Sequence, residues 1–415
     1  MKSLVKYFLL YFTPLVYWGF YHYIGLPETP VKLTIFLYTF FLILFLTPII
    51  FTKRYNFSSY SWFMKGIIIM IIVSMFMPTL FWNQSLDLTY RVTAYHFVFL
   101  YYFILLKYNV TEKEIISVLI FYGIVYALLW FVALSYVPIP VFSDDEEIRE
   151  DRGTFRIIIA SFDIIMLLYF WALANLKKKT KILLSIIIIV PCIVFTVTNL
   201  TRAIWAAVIL VSLYMVFTKT KLSTKIISLV AVVAMFPVLT SVFSRFAQNN
   251  EVLSTVTEMT EMQLTEMSDM NEDNSETRLV EYRIGFTDYE RNPVTFLIGS
   301  GRAHIFSDFG RYEQNLRNTY KFDRSDAGYP AIFVTYGLIG LLIFLGLFLK
   351  IIRDKNDKAS PYKMYLIVII AINLMQDATT WYGIATSIAI YLMEKNRLSS
   401  LEKKKSEIAQ PQAII

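Results

Sequence analysis

The feature that most constrains this chain is a succession of apolar runs, each near the length needed to cross a bilayer. A hydrocarbon core about 30 Å thick needs roughly 20 apolar residues per helix. Runs of that kind occupy residues 5–24, 33–51, 62–82, 88–106, 115–136, 156–176, 182–199, 203–218, 226–243 and 329–351. Inside lipid every backbone N–H and C=O must find a partner within the protein, which leaves helices or a closed barrel. Runs of this length select helices. The composition agrees: 56% of residues are hydrophobic and 17% charged, against about a quarter charged in soluble domains. The expected class is an all-α polytopic membrane protein.

The charges give the expected orientation. Residues 182–218 are one apolar stretch interrupted by Thr198-Asn199-Leu-Thr201-Arg202, with lysine-rich segments on both flanks. If positive clusters mark the cytoplasmic side, both flanks lie inside and the stretch is a hairpin. The same holds for 362–393, with Arg353, Lys355, Lys358 and Lys363 before it, Lys395 and Arg397 after it, and a turn near Gln376-Asp377. This reading gives about 12 transmembrane helices. Both termini are then cytoplasmic, on the side of Lys53-Arg54, Lys177 to Lys179 and Lys403 to Lys405. The start, Met1-Lys2-Ser-Leu-Val-Lys6, precedes an apolar run with no small-residue cleavage site, so a retained first span is expected.

Four regions follow. Residues 1–243 carry spans one to nine, 244–328 form a large extracytoplasmic loop with short helices, 329–393 carry the last three spans, and 394–415 are a basic tail. The loop divides by charge. After Arg245 and up to Glu276 it has eight acidic residues and no basic ones; from Thr277 to Gly328 it has eight basic and seven acidic. Asp273 and Glu276 have capping-box spacing and Asn292-Pro293 ends the pattern, so a helix is expected over 274–291. It would place Arg278, Tyr282, Gly285 and Tyr289 on one face. Gly299-Ser-Gly301 reads as a turn.

Net charge is +7, but the basic residues sit in short clusters between apolar runs rather than on one domain face, which argues against a nucleic-acid partner. Cys192 has no cysteine to pair with. Three scattered histidines, His22, His96 and His304, give no zinc spacing, and the acidic run Asp144 to Asp151 lacks a calcium-loop pattern. No metal or cofactor is expected.

The chemistry-bearing signal is arginine at extracytoplasmic positions, where topology does not require positive charge. A guanidinium is always ionised and offers a planar fork that fits phosphate oxygens. Arg152, Arg156, Arg202, Arg278 and Arg283 therefore make a candidate site for a lipid diphosphate. Arg202 lies in a tight turn between apolar helices, where a charge is functional or snorkels to the interface. Asp326 and Glu281 can each serve as a base toward a sugar hydroxyl or pair structurally with an arginine. Asp163, inside a span, needs a partner such as Arg156 or Arg152.

Several of these residues fall into a known pattern. Arg278-Leu-Val-Glu281-Tyr282-Arg283, through Arg-Asn292-Pro293 to Gly299-Ser-Gly301, resembles the arginine, helix, Asn-Pro and Gly-x-Gly segment of the O-antigen ligase and polymerase superfamily. Ser-Asp326-Ala-Gly-Tyr329 through Tyr336-Gly337 is similar to the segment that re-enters the membrane after that family's periplasmic loop, and Thr201-Arg202-Ala to its Ser-Arg turn. Ligases usually carry a histidine eleven residues before the Tyr-Gly glycine; here that place holds Asp326, as in Wzy-type polymerases. The resemblance implies polymerisation of oligosaccharide repeat units carried on undecaprenyl diphosphate, by inverting, metal-independent glycosyl transfer at the outer face of the bacterial cytoplasmic membrane. It implies catalytic roles for Arg202, Arg278, Asp326 and Glu281, and substrate contacts from Arg152, Arg156, Tyr282, Arg283 and Tyr329. A chain-length regulator and a flippase are the implied protein partners. Two alternatives stay open: a ligase that moves finished glycan to an acceptor, and a lipid-linked-sugar flippase or transporter.

Overall fold

The computed structural model describes residues 2–20, 23, 28–51, 59–136, 148–151, 154–157, 159, 161–176, 181–198, 202–219, 279–289, 292–320, 322–324, 327–354, 360–377 and 382–409. The acidic half of the large loop, the apolar run 226–243 and the expected helix start at 274–278 lie outside these residues.

The chain divides into two compact units. One comprises Met1–Tyr17, Leu33–Ile115 and Val280–Ile415; the other comprises Trp18–Lys32 and Ile116–Leu279. The scaffold is helical, as its composition dictates: α1 (Lys2–Tyr17), α2 (Glu28–Phe51), α3 (Ser59–Trp82), α4 (Leu86–Thr93), α5 (Leu100–Lys107), α6 (Glu112–Ser135), α7 (Phe162–Asn175), α8 (Ile182–Thr198) and α9 (Arg202–Lys219). After the large loop come α10 (Pro293–Ile298), α11 (Asp308–Tyr320), α12 (Tyr329–Arg353), α13 (Pro361–Ile372) and α14 (Gly383–Ala409). One antiparallel hairpin is added to the all-helical reading. Its strands, β1 (Ile148–Asp151) and β2 (Thr154–Ile157), pair Arg149 with Arg156.

Four described helical segments are long and apolar enough to cross a membrane: Val31–Phe51, Tyr60–Trp82, Glu112–Ala133 and Tyr329–Arg353. Shorter apolar helices are Ser3–Tyr17, Phe162–Asn175, Ile182–Phe195, Ala206–Met215 and Pro361–Ile372. The run 88–106, read as one span, is instead α4 and α5 joined by a 3-10 stretch, Ala94–Phe99, which buries His96 and Phe97.

Within the second unit Asp163 is fully buried, and the Trp18 indole N–H donates to its Oδ2 at 3.1 Å. Ser161 secures the same segment by donating to the Trp18 carbonyl at 2.7 Å. Asp163 thus has a neutral donor at a buried site, where an unpaired carboxylate is costly.

In the first unit the described part of the large loop folds around Ile284, Tyr289, Phe309, Phe322, Ala327, Ala331 and Val334, with Trp82 and Tyr312 packed against them. Trp82 stacks on Phe309 with ring centroids 4.5 Å apart. Burying a phenylalanine side chain contributes about 1.5–3 kcal/mol, so these rings anchor the loop to the C-terminal end of α3. The expected helix over 274–291 ends sooner. Its described part runs from 279 through a π-helical turn, Ile284–Asp288, and Tyr289 is already extended. Asn292-Pro293 does not terminate that helix but starts α10. The Asn292 side chain accepts from the Val294 and Thr295 amides, both at 2.9 Å, and the Asn292 amide donates to the Thr295 hydroxyl oxygen at 3.0 Å. Asparagine at the N-cap followed by proline is a start signal, because proline lacks the N–H that a first turn leaves unsatisfied.

Candidate functional site

The site is built where α12 breaks, and where α3 carries a proline, beside Gly299-Ser300-Gly301. Proline at position 78 has no N–H for the Ser74 carbonyl, so α3 loses one internal hydrogen bond there. Gly301 lies against that carbonyl and the Pro78 ring so closely that a Cβ would overlap both. Helix α12 breaks at Gly337, whose φ of 67° and ψ of −170° are not helical. The break frees the Val334 and Thr335 carbonyls, which accept from the Ser300 and Gly301 amides at 2.8 and 3.2 Å. Gly299 and Gly301 both have positive φ (87° and 73°), and a Cβ on Gly299 would strike the Thr335 carbonyl. Irregular backbone beside a membrane span is tolerated only where protein satisfies it, and here each segment satisfies the other.

Polar side chains converge on this core. Gln84, just past α3, is 1% exposed. Its amide nitrogen donates to the Arg302 carbonyl at 2.9 Å, while its oxygen accepts from the His304 amide at 2.9 Å and the Ser307 hydroxyl at 2.7 Å. The Arg302 backbone is therefore held on both sides. Its Nη2 donates to Asp377 Oδ2 at 2.9 Å, with the carboxylate 3% and the guanidinium side chain 22% exposed. Asp377 comes from the segment between α13 and α14.

Arg324 is buried beneath. Its Nη1 donates to the Gly301 carbonyl at 2.5 Å and to Thr335 Oγ1 at 3.3 Å; its Nη2 donates to the Tyr289 hydroxyl at 2.9 Å and to Glu313. Burial pulls this guanidinium down to about 10, the Tyr289 and Asp377 interactions oppose that, and it stays ionised at neutral pH. Arg302, Arg324 and Asp377 are all within electrostatic range of Tyr336, whose hydroxyl lies 2.5 Å from His96 Nδ1. Ser300 Oγ, Arg302 Nε and Arg324 Nε are buried without a hydrogen-bond partner among the described residues. His304 accepts from the Phe306 amide at 3.2 Å through Nδ1, and burial, with Arg91 nearby, lowers its pKa.

The residues expected from sequence divide into three groups. Arg278, Asp326 and Arg152 lie outside the described residues. Arg202 is the first residue of α9 and Arg156 lies in β2, both in the second unit; for each the backbone alone is described. The rest are in the first unit. Glu281 is buried at 3% exposure. Arg283 does not turn inward: it is exposed and pairs with Asp288 at 2.9 Å. Tyr282 and Tyr329 come to one edge, but their hydroxyls donate to backbone carbonyls at the end of α13, Leu374 at 2.6 Å and Ile370 at 3.1 Å. Those two bonds dock the loop and α12 onto the end of α13. Each hydroxyl has thereby given its one proton and keeps only acceptor capacity for another partner.

Sequence reasoning missed Arg302, Arg324, Gln84, Glu313 and Asp377 as site residues. Arg302 carries the same signal as the arginines singled out, and it directly follows the Gly-x-Gly. Among the described residues no three His, Cys, Asp or Glu side chains come together as a metal site.

Comparison with known families bears on the segment that builds this core. Residues 187–345 match the family model described as O-antigen ligase. That segment, less than half of the chain, is similar to the O-antigen ligase and polymerase superfamily. No curated protein matches the chain. The family segment includes Arg202, Arg278, Glu281, Asp326 and Gly337, and also Arg302 and Arg324; Gln84, His96 and Asp377 fall outside it. The match supports a membrane protein of the O-antigen type that processes lipid-linked glycans.

Proposed function

We propose that this chain is a membrane glycosyltransferase that polymerises oligosaccharide repeat units carried on undecaprenyl diphosphate. It works at the outer face of the bacterial cytoplasmic membrane, with both termini inside. The acceptor hydroxyl oxygen bonds to the anomeric carbon of the donor with inversion. The bond from that carbon to the diphosphate breaks, and its electron pair leaves on the phosphate oxygen. The hydroxyl proton passes to a carboxylate, Asp326 or Glu281. Arg202 and Arg278 hold the departing diphosphate, because charge developing there is best met by fixed guanidinium groups.

The observation that carries the polymerase reading is Asp326 at the position where ligases show histidine, within a segment matched by the family model. The ligase reading keeps one specific support: the matching model is described as O-antigen ligase. A deletion strain separates the two on one gel. Loss of the long ladder with single repeat units still attached supports a polymerase; lengthened glycan left unattached supports a ligase. Arg278→Ala and Arg202→Ala proteins are expected to insert normally yet restore no ladder, with turnover reduced at least about a hundredfold. Full restoration by either variant removes that residue from the proposed roles.

A further inference from the structure

Resting on the proposed transfer of a diphosphate-linked glycan, we infer that Arg302 is a third arginine that holds an oxyanion, the diphosphate group, in the same reaction. Four observations converge on it. Its backbone is locked, by two positive-φ glycines before it and by Gln84 bonding its carbonyl and the His304 amide. Among the described residues its side chain is aimed by one ion pair, with the buried Asp377 carboxylate. Its Nε is buried with no acceptor among the described residues, and a buried N–H of a cation left so is costly unless a ligand completes it. The Arg302 side chain as a whole is 22% exposed, so part of it is still reachable.

The chemistry selects the ligand class. Asp377 takes one of five N–H donors in a planar fork, and the remaining donors suit two adjacent phosphate oxygens. Asp377 fixes the fork beforehand, so little side-chain freedom is lost when the anion arrives. Arg324 is different. Both of its terminal nitrogens are occupied by the Gly301 carbonyl, Thr335, Tyr289 and Glu313, so it supports the turn that carries Arg302.

The test uses the full chain in lipid nanodiscs, with inorganic pyrophosphate and undecaprenyl diphosphate as separate probes in a thermal-shift titration. The wild type is expected to be stabilised by at least one of them. Binding of pyrophosphate alone suffices for the headgroup chemistry, whereas a response to undecaprenyl diphosphate alone adds a requirement for the lipid tail. Arg302→Met should raise the half-maximal concentration by about tenfold to a hundredfold, and Arg302→Lys by less, since it keeps the charge and loses the fork. In unmutated protein, labelling of Arg302 by phenylglyoxal, read by mass spectrometry, should be blocked by the stabilising probe; this arm needs no variant to fold. Unchanged titrations in folded Arg302→Met, or labelling that persists at saturation, overturn the inference. So does a wild type that neither probe stabilises. If Arg302→Met restores the ladder while Arg278→Ala does not, Arg302 alone is rejected. If the deletion strain keeps its ladder, the polymerase reading is what fails.

Discussion

Arg324 shows how one residue can hold a site it does not enter. Its fork joins the Gly301 carbonyl, the Tyr289 hydroxyl, Glu313 on α11 and Thr335 on α12. Removing one partner of a buried pair leaves the other charge without compensation, typically costing 3–5 kcal/mol. Arg324→Met should therefore destabilise the protein by about 3 kcal/mol in a nanodisc unfolding assay. Glu313→Gln, which keeps an acceptor for the same donor and lies at a 25% exposed site, should cost less than half as much. Equal losses would mean that the fork's other three acceptors contribute little. The sequence placed Arg324 near Asp326 but could not show its burial, because Tyr289 and Glu313, which receive it, lie 35 and 11 residues away. Gln84 was illegible for the same reason, since apart from Thr89 its side-chain partners Arg302, His304 and Ser307 lie more than 200 residues away.

At the scale of elements, local chemistry was legible and its direction sometimes was not. Gly299-Ser-Gly301 was read as a turn, and it is non-helical backbone with two positive-φ glycines. Asn292-Pro293 was correctly seen as a boundary but taken for an end. The helix before it has already ended at Asp288, so the pair only caps the next one, through the Asn292 bonds from the Val294 and Thr295 amides. The 3-10 stretch Ala94–Phe99 left no mark in a run that is apolar throughout. The turn's packing yields a prediction. Gly301→Ala adds a methyl group against backbone at Ser74 and forces a left-handed residue, a conformation that alone costs about 1–2 kcal/mol. Gly66→Ala, in α3, meets only the flexible Ile343 side chain at 3.3 Å. Yield and thermal midpoint should fall sharply for the first and stay near wild type for the second.

At the scale of the whole molecule, membrane residence and the helical class were fixed by composition and run length, since lipid offers an apolar chain almost no other structure. The number of spans was harder to read. Four segments meet the length and hydropathy needed to cross, and several others are shorter. The helices of the pairs α8 with α9 and α13 with α14 touch and are separated by only a short segment, a gap that hydropathy averages away. The interruption of α12 has a consequence for solvent exchange. The Ser300 and Gly301 amides belong to a loop, but each donates to a carbonyl inside a broken span and is closed over by α3. Amides exchange with deuterium only when such bonds open. Peptides covering 299–302 should therefore take up deuterium as slowly as those from the middle of α12, and far more slowly than the exposed face of α11. Fast uptake there would mean that the turn separates from both helices in the resting protein. Slow uptake would make three residues of irregular backbone one of the most durable parts of the molecule.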